Sequence, residues 1–202
     1  LKPVGKIEVP ALFAITLGPL VTFFGYTIAA MFFPGYDGMV HTISDLAAND
    51  SPVQVFISLV FLFGALCDVV VSHYSKTLAT PGRIAILLAG ITTVGLTVFT
   101  TPSQTGHSIP HRIFAIASFA LLAIWPVLSM RRGENIPPLL RPRAAIIETI
   151  ILLGTCIWFI SLWADKAAGI TGLGERIGVA VEGIVPALVL WHSFLWQRKQ
   201  NR

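Results

Sequence analysis

A chain of 202 residues with 54% hydrophobic and only 12% charged residues, and a mean hydropathy of +0.77, lies far from the balance of an ordinary soluble domain or a disordered segment. Its length suits one compact helical bundle, a single transmembrane domain over residues 1–202, with no stretch long enough for a separate soluble unit. The formal net charge of +4 invites a nucleic-acid role, but the basic residues flank apolar runs, which makes them topology anchors and argues for no nucleic acid.

Six apolar runs predict spanning helices over about residues 9–33, 53–75, 83–101, 110–130, 144–165 and 174–196. Each approaches the roughly 20 residues that a helix needs to cross a ~30 Å hydrocarbon layer. Lipid offers the backbone no hydrogen bonds, so these runs must close their own as helices. The expected fold is an all-α integral membrane protein, a six-transmembrane-helix bundle with a short outer amphipathic helix. The first run ends without a small-residue cleavage motif and reads as a retained helix rather than a signal peptide. Six crossings place Lys2, Lys6, Lys76, Arg83, Arg131, Arg132, Arg141, Arg143, Arg198, Lys199 and Arg202 on one side and only Arg112, Lys166 and Arg176 on the other. The positive-inside rule then predicts a cell-membrane protein with both termini cytoplasmic. Cys67 and Cys156 fall inside apolar runs and read as small buried residues.

The loops opposite the basic side carry the chemistry. In the first, Val40, Ile43 and Ala47 repeat at helical spacing while His41, Ser44 and Asp45 share another face. This predicts a short helix within Pro34 to Ala48, lying across the bundle mouth and burying Val40, Ile43 and Leu46. The second loop supplies His107 and His111, with Ser108 and Pro110 marking a helix start between them. The third leads into Glu175 and Arg176, and Glu182 lies about two turns further into the last run. A carboxylate inside an apolar helix is costly, so Glu182 reads as a group that orients a ligand or moves a proton, or as a partner of Arg176 or Arg112. Asp68 and Glu148, nearer the basic side, are assigned to packing.

Neutral imidazoles and a carboxylate are the ligand chemistry of Zn²⁺ with a position left for water. The leading expectation is therefore a zinc-dependent hydrolase acting on a lipid-like amide or ester at the outer face. His41, His107 and His111 would bind the metal, Asp45 would be the general base, and Ser44 would position water or the oxyanion. Arg176, Glu182 and Arg112 are secondary candidates. A competing expectation is a non-catalytic accessory or assembly subunit whose outer helix docks a membrane-protein partner. A third is haem binding, with His73 and His192 on the basic side as further axial ligands.

The run from Pro34 through His41-Thr-Ile-Ser44-Asp45-Leu-Ala, the histidine-bearing second loop and Gly172-Leu-Gly-Glu-Arg176-Ile together resemble the membrane family catalogued as domain of unknown function 998. The resemblance covers nearly the whole chain. It implies a six-helix fold and no agreed activity, and it marks His41, Ser44, Asp45, His107 and Arg176 as positions in its motif-bearing segments. His111 is added from spacing. The residue set also has a distant similarity to membrane hydrolases of the alkaline-ceramidase and progestin-receptor type, which combine Ser, Asp and three His around zinc. In those proteins the His-x-x-x-His pair falls late in the chain, whereas here it precedes the fourth span.

Overall fold

The computed structural model describes residues 5–165 and 168–200, so Lys2, Lys166 and Arg202 of the topology argument lie outside the described residues. The helices are α1 Val9–Met31, α2 Ile43–Leu46, α3 Gln54–Tyr74, α4 Thr80–Val98, α5 Ile109–Ser129, α6 Pro142–Ala164 and α7 Thr171–Gln200, with a 3-10 turn at Pro138–Leu140. All but α2 are long and apolar enough to cross a membrane. Proline sits in the first turn of α1, α4, α5 and α6, where its missing N–H has no intrahelical partner to lose. This moves the starts of α4 and α6 ahead of their apolar runs, to Thr80 and Pro142. The last helix runs past residue 196, because Gln197-Arg-Lys-Gln200 are good helix formers and Arg198 and Lys199 complement its C-terminal dipole.

The spanning helices form a six-helix bundle in which each packs on its neighbour in sequence and α7 returns to α1, closing a ring. Side chains such as Phe13, Leu59, Ile150 and Leu188 face outward toward the lipid. The tightest packing lies toward the basic end, where Leu12, Val71, Leu78, Trp125, Leu140, Val189 and Leu190 share one cluster. The cap end, formed by the loops opposite, is more open. There α2 rests on α1 and α7.

Carbonyls at the basic end are satisfied by guanidinium groups. Arg83 donates through Nε to Ser72 O (2.6 Å), and Arg131 through Nε to Thr77 O (2.7 Å) and through Nη2 to Leu78 O (2.9 Å). These are the chain just before and just after the end of α3, where helical carbonyls lack partners. The segment before α1 joins the same knot: Glu8 N–H donates to Tyr74 O (3.0 Å), while Thr77 Oγ1 (2.6 Å) and Gln197 Nε2 (2.9 Å) donate to Gly5 O. The segment before α1 and the last turns of α7 are therefore both tied to the α3–α4 connection. Arg131→Ala should orphan these carbonyls and cost about 1–3 kcal/mol, read as a lower Tm of the detergent-purified protein. Arg131→Lys should recover only part of the loss, since an ammonium cannot span the same acceptors; a wild-type Tm for Arg131→Ala would overturn the assignment.

Candidate functional site

Loop one forms a lid over the cap end, though with less helix than its sequence pattern predicts. Only Ile43–Leu46 is helical, because Thr42 ends the turns before it and caps α2. Thr42 N–H donates to Asp45 Oδ2 (2.8 Å) and Asp45 N–H donates to Thr42 Oγ1 (3.2 Å), a reciprocal capping box. Ile43 and Leu46 are buried as expected, at 2% and 0% exposure, whereas Val40 is 45% exposed and belongs to the turn before the helix. Leu46 packs with Tyr26, Ile57 and Ala29 beneath it.

The start of α7 fastens this lid. Glu175 accepts the N–H of Ile43 and the hydroxyl of Ser44 (3.3 Å). Arg176 Nη1 donates to Gly38 O (2.8 Å), His41 O (3.0 Å) and Gly172 O (2.9 Å), and its Nη2 donates to the Tyr36 hydroxyl (2.5 Å). The Tyr36 hydroxyl in turn reaches His41 O (3.1 Å) and Thr42 O (2.8 Å). Gly172 permits the approach, because a β-carbon there would meet His41 O at 2.1 Å. The Tyr36 phenol is pushed up to about 12, mainly by burial and against the opposing pull of Arg176. Its folded state thus keeps the proton when an unfolded tyrosine would lose it. The stability this contributes is complete below pH 10 and fades as pH rises from 10 toward 12.

The three histidines occupy separate settings. His41 stacks on Tyr36 with centroids 5.4 Å apart, and its Nδ1 accepts from Asp37 N–H (3.1 Å). His107 accepts at Nδ1 from Arg112 Nη2 (2.8 Å), which holds a fixed cation beside it. His111 is buried at the start of α5, donates through Nδ1 to Phe99 O (3.0 Å) and leaves Nε2 without a partner. Among the described residues no group of three or more His, Cys, Asp and Glu side chains is arranged to hold a metal ion. The set therefore does not fit the tetrahedral zinc site expected from sequence, and Asp45 is committed to Thr42 rather than held for a water. His73 rests edge-on against Tyr74, and both His73 and His192 are exposed at the basic end. Arg112 lies over the Trp163 ring at 4.9 Å.

Beneath the lid the ring encloses a cavity of about 360 Å³, lined from α1, α2, α3, α4, α5 and α7 but not from α6. Ser44 and Glu175 lie at its cap end, Glu182 about two turns deeper on the same helix, and Asp68 faces it from α3. Glu182 has Cys156 as its hydrogen-bond partner (Sγ to Oε1, 3.4 Å), in place of the Arg176 or Arg112 pairing that sequence allowed, and Asp68 is near enough to act on it electrostatically. Asp68, assigned from sequence to packing, is thus a cavity residue. Glu148 is buried on α6 away from the cavity, with Oε2 unpartnered. Among the described residues no Lys, Arg or His lines the cavity. Its floor is Val71, Ile86 and Trp125, all buried.

Two helices bring proline and glycine to the cavity without losing their continuity. Pro19 on α1 and Gly183 with Pro186 on α7 all line it, and Pro186 can give no N–H to the carbonyl of Glu182.

These features define a polytopic α-helical membrane protein with an acid-lined cavity under a hydrogen-bonded lid. The chain belongs to the family described as Protein of unknown function (DUF998), whose family model matches residues 16–192. No curated protein and no solved structure matches it.

Removing the Arg176 side chain should free the lid without dissolving the ring. In Arg176→Ala, amide hydrogen exchange should rise over residues 36–48 while that of α4 and α5 stays at wild-type levels. Arg176→Lys should recover little, because one ammonium cannot serve carbonyls at Gly38, His41 and Gly172 together with Tyr36. Unchanged exchange over 36–48 would show that the lid is held by other contacts.

Proposed function

We propose that this protein is an intramembrane binding protein for a small lipophilic amine, held in the central cavity with its cationic head against Glu182 and Asp68. The observation that carries this reading is the lining itself: three acidic side chains, Asp68, Glu175 and Glu182, and no basic one. A lone charge is costly in an apolar enclosure. Glu175 and Glu182 have only neutral hydrogen-bond partners, Ile43 N–H with Ser44 and Cys156; a ligand that brings its own positive charge and N–H donors supplies a cation beside them, and the apolar walls receive its hydrocarbon part. The volume is near the lower end of the ~300–1,000 Å³ typical of small-molecule sites. The lid end is proposed to face outward across the cell membrane, with both termini cytoplasmic, from the distribution of Lys and Arg.

Octylamine and octanoate, equal in chain length and opposite in head charge, separate this reading from plain hydrophobic uptake. Titrated against the purified protein in lipid nanodiscs, octylamine should bind saturably and octanoate should not. Glu182→Gln and Asp68→Asn should each weaken octylamine at least tenfold. Equal binding of both amphiphiles, or wild-type affinity in both variants, would sink the reading. For orientation, single cysteines at Asn135 and Ser103 in intact cells should react with an impermeant thiol reagent at Ser103 only. Labelling at Asn135 alone would reverse the topology.

A second reading rests on the contact between the Ser44 hydroxyl and Glu175 at the cap end of the same cavity. It keeps lipid-like amide or ester hydrolysis but routes it through no metal: Ser44 Oγ would attack the carbonyl carbon while Glu175 takes its proton and passes it to the departing alcohol or amine, and water activated by Glu175 would then cleave the acyl-serine to the free acid and restore Ser44. The test is release of p-nitrophenol from p-nitrophenyl octanoate, abolished by Ser44→Ala. For the accessory-subunit reading, Ile43 and Leu46 are buried within the chain itself, so a docking partner would meet the exposed Met39 and Val40 of loop one instead.

A further inference from the structure

The seam between α1 and α7 is closed over its basic half and open over its cap half. In the closed half Trp191 Nε1 donates to Thr16 Oγ1 (2.9 Å). Next along, Pro19 presses so closely on Gly183 that a β-carbon there would meet Pro19 Cβ at 2.8 Å. At the far end the seam is bridged again by Arg176, bonded to Gly38 and Tyr36. Between these two closures lies a groove of about 400 Å³, bordered by Thr27 and Ala30 from α1 and by Ile177 from α7.

Groove and cavity share a wall, since Phe23, Tyr26 and Ala180 line both. Leu20 and Ile184 also line the cavity, and they are 46% and 55% exposed. The cavity therefore reaches the lipid-facing side of the ring through this window, at a level where both bordering helices span the membrane. What faces such a window is the hydrocarbon interior of the bilayer rather than water. Shape and chemistry agree: apart from Thr27 and, at the upper edge, Arg176, the rim is mostly apolar, the cavity beyond it is largely apolar, and the volume suits one hydrocarbon chain rather than a two-chain lipid.

We propose that the cap half of the α1–α7 seam is a lateral portal, through which the chain of a single-chain, bilayer-dissolved amphiphile passes from the lipid into the acid-lined cavity. This rests on the cavity being the binding site and adds its route and its source of ligand. Phe23 is the side chain that must swing for passage, being 49% exposed while lining both spaces. Arg176 and Tyr36 fix the upper edge, so the portal and the lid share one anchor.

A neutral probe tests the route separately from the preference for amines. Dodecanol carrying a diazirine near its chain end is added to phosphatidylcholine vesicles containing the full chain and photolysed, and labelled residues are located by mass spectrometry. Thr22, Tyr26 and Val179, which line the cavity, should be labelled. Thr27→Trp and Ala30→Trp each fill the groove at positions that do not line the cavity. Either should cut that labelling at least fivefold while leaving the lipid-facing Ile150 labelled as in wild type. Two variants on one helix guard against a failure of either to fold. Cavity labelling that is absent, or equal in both variants and wild type, overturns the portal. Octylamine binding without cavity labelling overturns the portal alone and leaves the binding site standing. Labelling that the variants suppress, combined with no preference for octylamine over octanoate, supports the portal and overturns the amine reading.

Discussion

The cap end of this protein depends on two adjacent residues that work in opposite senses. Glu175 accepts what loop one donates, the Ile43 amide and the Ser44 hydroxyl, and Arg176 donates to what the loop leaves accepting, the carbonyls of Gly38 and His41. A non-helical segment at the edge of hydrocarbon cannot leave its backbone groups unpaired. The pair solves this with side chains from the start of a spanning helix, and two backbone bonds, Gly172 N–H to Val40 O (3.1 Å) and Leu173 N–H to Met39 O (3.1 Å), complete the seam. Loop one is thereby a rigid lid rather than a loose connection. The cavity below it exists because that lid is held from the side and does not sink into the ring.

The basic end uses the same chemistry for a different result. Arg83 and Arg131 also satisfy carbonyls, but there they draw the α3–α4 connection, the segment before α1 and the end of α7 into a single packed knot. Trp125 and Val71, fully or almost fully buried, close the ring beneath it. One end is sealed by apolar packing and the other by a hydrogen-bonded lid. An enclosed space with one packed floor and one fastened roof has its remaining freedom at the sides. The pairing of Pro19 with Gly183 sets where the side seam stops being tight.

The six spans were legible because a membrane helix declares itself by a single property, an apolar run of sufficient length. Their boundaries were less so, since Pro81 and Pro142 extend α4 and α6 into residues that hydropathy alone assigns to loops. Within the lid, Thr42-x-x-Asp45 is a capping box visible in the sequence, and weighing it would have assigned Asp45 to Thr42 before any catalytic role. The relation of the three histidines was not legible for a different reason. Spacing fixes distance only on a continuous helix, and His41, His107 and His111 are divided between two loops and a helix start. Asp68 was illegible in principle, since its relation to Glu182 depends on how α3 and α7 sit around the ring. Pro19, Gly183 and Pro186 were readable as unusual residues inside apolar runs, and all three line the cavity.

The contrast between Glu148 and the cavity acids bears on what these carboxyls are for. Glu148 sits on α6, the one spanning helix that contributes nothing to the cavity, and it is enclosed by packing with Oε2 unpartnered. Asp68, Glu175 and Glu182 come from α3 and α7, yet all face one space. Burial by itself would scatter such groups among helices and depths, each with its own local partner. These three converge on a cavity that, among the described residues, no basic side chain lines, beside a carbonyl that Pro186 cannot serve. On the proposed reading, a molecule that occupies this site brings a cation and donors to the carboxyls, and entry through the α1–α7 seam asks that the rest of that molecule be at home in lipid.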